Sequence, residues 1–205
     1  MTGDTSERTD LGPPSWLRPY FIVALLVAAM WTIEIIDLFP GTNFDRWGVR
    51  PRQAVGLIGI ATAPFLHSGL PHLISNTIPF LVLGGLIAAS GINRFLQVTV
   101  IVGLVSGLGT WLVGPTGTDH IGASGLVFGY LAYLLARGFF DRKLTYLFVG
   151  VVVLFFYGGV LWGVIPRDGI SWQGHIFGAI GGLIAARAFR SATPNRTDRP
   201  TPTIA

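Results

Sequence analysis

Gly122-Ala123-Ser124-Gly125-Leu126-Val127-Phe128-Gly129 opens an apolar run that continues to Gly138 and holds one charge, Arg137. Such a run is close to the ~20 residues that cross ~30 Å of hydrocarbon as a helix. It is the shortest of six comparable runs, over residues 19–39, 70–90, 94–114, 122–138, 144–165 and 173–190. In a bilayer the backbone must satisfy its own hydrogen bonds, so each run is expected as a helix. A second polar notch, Gly174-His175-Ile176-Phe177-Gly178, opens the sixth run. Polar side chains in lipid are costly, so a serine and a histidine at the ends of such runs call for an explanation.

Composition agrees with this reading. The 205 residues are 51% hydrophobic and only 12% charged, with a mean hydropathy of +0.60. A soluble domain carries about twice that charge. The apolar residues come in long blocks rather than stripes, which predicts an all-α polytopic membrane protein of one compact domain. The absence of cysteine excludes disulfides, thiolate metal sites and cysteine nucleophiles. The net charge of +4 comes mostly from arginines at segment ends, which fits topology better than nucleic-acid binding. Residues 1–18 are polar and proline-bearing, with no basic-then-apolar leader, so they are read as a disordered N-terminal tail. Residues 191–205, rich in Thr, Pro and Arg, are read as a disordered C-terminal tail.

Six spans put both termini on one side. Arg8, Arg18, Arg94, Arg137, Arg142, Lys143, Arg187, Arg190, Arg196 and Arg199 lie with the termini; Arg46, Arg50, Arg52 and Arg167 lie opposite. The positive-inside rule then makes the terminal side cytoplasmic, in the plasma membrane. Spans two, four and six all start from the outer face, so His72, Asn76, Ser124 and His175 are expected at one depth. The connection 40–69 mixes Phe44, Trp47 and Val49 with charges and is expected to lie in the interfacial plane. Its end, Ile58 to Leu70, is interrupted by Pro64, His67 and Gly69 and reads as a re-entrant piece.

The candidate chemistry follows from these positions. Gly122 and Gly125 permit a tight turn and close backbone approach around Ser124. A serine at a helix start sits beside free N–H groups that can hold an oxyanion. Taken alone, it reads first as a helix cap or a small packing residue. His175, Gly178 and Gly182 share one helix face. Gly125 and Gly129 make the matching small-residue pair on span four. Two such faces bring backbones close, which a serine–histidine hydrogen bond needs, although glycine-driven packing alone would also explain them. His72 and Asn76, four apart, can both donate to a developing negative oxygen, or can instead tie span two to its neighbours. His67 is expected to be a core hydrogen-bonder and His120 an exposed loop residue. No carboxylate has an evident claim on His175, so a dyad is expected. Phe128, one turn after Ser124, is placed to pack on the imidazole.

Three elements in order, His72-Leu73-Ile74-Ser75-Asn76, Gly122-Ala123-Ser124-Gly125 and His175-Ile176-Phe177-Gly178-Ala179-Ile180-Gly181-Gly182, resemble those of the rhomboid intramembrane serine proteases of the minimal six-helix type. The resemblance covers residues 19–190. It implies Ser124 as nucleophile, His175 as general base, and His72, Asn76 and the Ser124 N–H as oxyanion hole. It implies an aromatic role for Phe128 and a membrane-embedded first loop, here with the order Arg46-Trp47 instead of the family's frequent Trp-Arg pair. It also implies membrane-protein substrates that enter sideways from the bilayer; span five, rich in Val, Phe and Gly, and the loop 166–172 that follows it are expected to form the gate, and no cofactor or metal is expected. Oligomeric state is left open. A rhomboid-like protein that binds transmembrane helices without cutting them is the alternative. A transporter fits worse, because no internal repeat is found and the polar residues cluster near one surface.

Overall fold

A computed structural model describes Pro14, residues 16–140, 144, 145, 148, 151, 152, 155, 165 and 169–190. Among these, six α-helices form and no strand of a sheet: α1 Arg18–Asp37, α2 Gly59–Thr62, α3 Leu70–Ala88, α4 Ile92–Val113, α5 Ser124–Phe140 and α6 Trp172–Ala188. The chain is thus a polytopic helical membrane bundle. By length and hydropathy α1, α3 and α4 are each able to cross a bilayer, and α5 is a shorter apolar helix. The expected spans one to four and six coincide with α1, α3, α4, α5 and α6 to within two residues at each end. The fifth span, its gate, and both tails fall largely or wholly outside the described residues.

Sequence chemistry explains where the helices begin and end. Gly69 and Gly91 precede α3 and α4 with φ of +106° each, a left-handed region that glycine enters without penalty. Pro71 follows in the first turn of α3, where a missing N–H costs nothing. Large apolar side chains such as Leu25, Ile74, Ile78, Val100, Leu104 and Leu183 face outward. In water that surface would be a liability, and in lipid it is the solvated face.

The core runs along the bundle axis through Val23, Met30, Phe80, Leu83, Phe95, Val98, Val102, Tyr130 and Leu134. Tyr130 is its anchor. Its ring packs against Phe80 and Phe95 at centroid distances of 5.4 and 5.9 Å. Its hydroxyl shares a 2.7 Å hydrogen bond with Thr99, so the one polar atom of a buried ring is satisfied. Helix α6 lies against both α5 and α4, while α1 lies on α3.

Glycines set the closeness of α6. A methyl on Gly178 would overlap the Gly125 carbonyl, and one on Gly182 the Gly129 carbonyl. On the other flank, a side chain at Gly109 would overlap the Phe177 ring. The helices therefore meet backbone to backbone, the packing mode that small-residue faces allow in membranes.

The first loop departs in part from an interfacial amphipathic segment. Trp47 is exposed, but Val49 is buried and pairs antiparallel with His120, N–H to carbonyl in both directions at 2.9 and 3.0 Å. Arg50 adds a 2.6 Å ion pair to Asp119. Arg52 donates to the Leu112 carbonyl at 3.0 Å, and Trp111 Nε1 to the Gln53 carbonyl at 2.8 Å. The loop is thus pinned to α4 and to the turn before α5. Its short helix α2 packs Ile60 against Gly107 of α4, where a methyl would come within 2.9 Å.

Candidate active site

Ser124 is the first residue of α5, and His175 lies in the first turn of α6. Ser124 Oγ and His175 Nε2 are 2.7 Å apart. His175 is buried, with a relative exposure of 7%. The Phe128 ring stacks on its imidazole at 4.3 Å between centroids and 10° between planes. The pair expected from two separate motifs is therefore in hydrogen-bond contact, and the imidazole plane is held by the aromatic one turn along α5. A neutral histidine in that position can take the serine proton at Nε2.

His72 meets this pair from α3. A Cβ on Gly122 would stand 2.8 Å from His72 Cε1 and Nε2 and 3.8 Å from Ser124 Oγ, so the ring edge, the glycine and the serine border one another. Gly122 also has φ +108°. It is a glycine on both counts. Ser68 lies at the other edge of the ring, with its N–H donating to His72 Nδ1 at 3.4 Å and its hydroxyl 3.3 Å away. An Nδ1 that accepts leaves the proton on Nε2, the nitrogen that borders Gly122. Asn76 is buried and its amide donates to the His72 carbonyl at 2.9 Å, one of its two donors. The first N–H groups of α5 have no acceptor further back in the helix.

Two histidines behave differently from expectation. His120 is partly buried and bridges: Nδ1 to Ser171 Oγ at 2.8 Å, Nε2 to Thr118 Oγ1 at 2.9 Å. It ties the turn before α5 to the turn before α6. Burial lowers its pKa, with Asp119 pulling it back up. His67 is 1% exposed, and neither ring nitrogen makes a hydrogen bond of good geometry, although the Phe65 backbone lies near enough to favour the charged ring slightly. It packs edge-on against His72, centroids 5.1 Å apart and 69° between planes. Burial first, then the neighbouring His72, push its pKa down to about 4.

Sequence reasoning missed Ser106 and Thr110. Ser106 Oγ donates to the Gly174 carbonyl at 2.8 Å, holding the start of α6 against α4. With Thr110, His120, Ser171 and Ser124 it lines a small cavity behind the serine, polar enough to hold water. The signal was present: Gly103, Ser106, Gly107 and Thr110 make a small, polar face on span three.

The match to known proteins agrees with this geometry. The family model "Rhomboid domain" fits residues 55–192, which takes in α2 to α6 and with them His72, Asn76, Ser124, Phe128 and His175. The chain belongs to the rhomboid family. An uncharacterized protein of Mycobacterium tuberculosis is 45% identical over 195 residues, covering 91% of this chain and 80% of its own length. The putative rhomboid protease YdcA of Bacillus subtilis is 26% identical over 184 residues, covering 83% of this chain and 89% of its own length. The rhomboid protease GluP of the same organism is 31% identical over 179 residues, covering 82% of this chain but 34% of its own length. Here Ser124 and His175 sit at the starts of α5 and α6, inside the matched residues.

Proposed function

We propose that the chain is an intramembrane serine endopeptidase that hydrolyses peptide bonds in or near the transmembrane segments of membrane proteins. The observation that carries this reading is the 2.7 Å contact between Ser124 Oγ and His175 Nε2. His175 takes the Ser124 proton as Oγ attacks the scissile carbonyl. The oxyanion is held by His72 Nε2–H, the Asn76 amide and the Ser124 N–H. His175 then protonates the leaving amine, and water hydrolyses the acyl-enzyme. Phe128 keeps the imidazole in plane while it changes charge. Gly122, Gly125, Gly178 and Gly182 keep the two helices within reach. The membrane is the plasma membrane, with both termini cytoplasmic and the dyad near the outer face. Substrate enters sideways from the lipid, past span five.

The test is covalent labelling of the purified protein by a fluorophosphonate, alongside cleavage of a reporter transmembrane substrate. Wild type is expected to label and cleave. Ser124→Ala is expected to lose labelling, and Ser124→Ala and His175→Ala each to lose cleavage by on the order of 10⁴-fold or more. Equal labelling of wild type and Ser124→Ala would overturn the assignment. A protein that captures transmembrane helices but neither labels nor cleaves would be a non-cutting member of the family.

A further inference from the structure

Among the described residues charge is segregated along the bundle. The described carboxylates Glu34, Asp37, Asp45 and Asp119 all lie at the dyad end, near Gly69, Phe44 and Arg50. At the opposite end stand Arg18 opening α1, Arg94 in the first turn of α4, Arg137 late in α5, and Arg187 and Arg190 closing α6. Among the described residues that end has no carboxylate.

Two of these arginines do not simply point into solvent. The Arg94 guanidinium lies over the Phe189 ring, 4.1 Å from its centroid. Its Nη1 is buried and meets no hydrogen-bond partner. From α5, Arg137 Nη1 donates to the Phe189 carbonyl at 2.8 Å and to the Tyr133 hydroxyl at 3.3 Å. Both arginines reach that hydroxyl. Three helix ends thus bring two guanidinium groups and a phenol together. A buried guanidinium N–H without an acceptor is costly, and its planar fork matches a phosphate. Basic clefts between transmembrane helices are where anionic headgroups bind.

We propose that the Arg94–Tyr133–Arg137 cluster is a phosphate-anion site, filled in a bilayer by the headgroup of an anionic phospholipid. Arg94 Nη1 and the Tyr133 hydroxyl donate to the phosphate oxygens, and Arg137 supplies charge while it caps α6. The lipid then bridges α4, α5 and α6 at the end away from the dyad. The site does not depend on the proteolytic reading.

The test uses the full chain in nanodiscs of phosphatidylcholine with or without phosphatidylglycerol. Lipids retained after extraction are counted by native mass spectrometry, and Tm is measured in each disc. Wild type is expected to retain phosphatidylglycerol over phosphatidylcholine and to melt higher in its presence. Arg94→Gln is expected to lose that preference by about tenfold, and Arg94→Lys to keep part of it. Inorganic phosphate added to phosphatidylcholine discs is the second arm. If it raises the Tm of wild type as much as phosphatidylglycerol does, the lipid assignment is overturned and a soluble phosphate is the ligand. No preference in wild type and no phosphate effect overturn the site altogether. Since wild type alone decides that outcome, a variant that fails to fold does not shield the proposal.

Discussion

At the scale of single residues, the site divides charge and shape among few side chains. His72 borders Gly122 at a spacing that admits no methyl, so Gly122→Ala combines a steric clash with a strained φ. It is expected to lower turnover of the reporter substrate, and turnover equal to wild type would show that the His72–Gly122 contact does not matter to cleavage. On the proposed roles of His72 and Asn76, His72→Ala or Asn76→Ala should lower kcat by about 100- to 1000-fold with little change in KM. A rise in KM at unchanged kcat would place these residues in substrate binding instead. His67 sets a pH prediction. Its folded pKa, about 4, lies below the ordinary 6.5. The unfolded chain therefore binds a proton first as pH falls. Stability is full above pH ~6.5 and declines toward pH ~4, by at most about 3 kcal/mol. Thermal melting across this range should show the loss in wild type and a flatter profile in His67→Phe. Identical profiles would show that His67 does not titrate between the two states. The sequence made Ser124, His175, His72 and Asn76 legible because polar residues in lipid stand out. It hid His67's lack of a good hydrogen bond and His120's two partners, since hydrogen-bond geometry has no one-dimensional signature.

At the scale of helices, the α5–α6 seam is made of main chain. Gly178→Ala should destabilise the protein by about 1–3 kcal/mol through overpacking, and should lower cleavage by separating Ser124 from His175. Ile180→Ala, whose side chain faces outward with 39% exposure, serves as the control and should alter neither Tm nor turnover appreciably. Equal effects of the two substitutions would remove the seam from the account. Helix positions were readable almost to the residue, because blocks of apolar residues broken by Gly69 and Gly91 leave few other solutions. The first loop was not. Val49 reads as one more apolar residue of an amphipathic strip, and its pairing with His120 is a contact across 71 positions that no local pattern encodes. Nor does local sequence say that Ser106, one hydroxyl among glycines, holds the start of α6.

At the scale of the whole molecule, orientation and charge go together. The chain has no cysteine, so single cysteines report cleanly on sidedness. With termini inside, Arg46→Cys in the first loop should react with an impermeant maleimide added to intact cells, and Arg190→Cys only after lysis. The reverse pattern would invert the topology and put the dyad at the inner face. Positive charge at chain ends was plain in the sequence. That Arg94 and Arg137 converge on Tyr133 and Phe189 was not, because these four come from three helices.

The glycine seam has one more consequence. Gly125 and Gly129 on α5 repeat every four residues, as do Gly178 and Gly182 on α6. A ladder with equal rungs can be assembled one rung out of step. Sliding α6 by four residues, about 6 Å, would seat one glycine of each pair on the other helix's backbone again while carrying His175 out of reach of Ser124. Close packing alone therefore does not say which alignment is native. The choice falls to contacts without the repeat: Ser106 on the Gly174 carbonyl, His120 on Ser171, and Arg137 on the Phe189 carbonyl. Those side chains, none of them in the dyad, act as the key that indexes one helix against its neighbour.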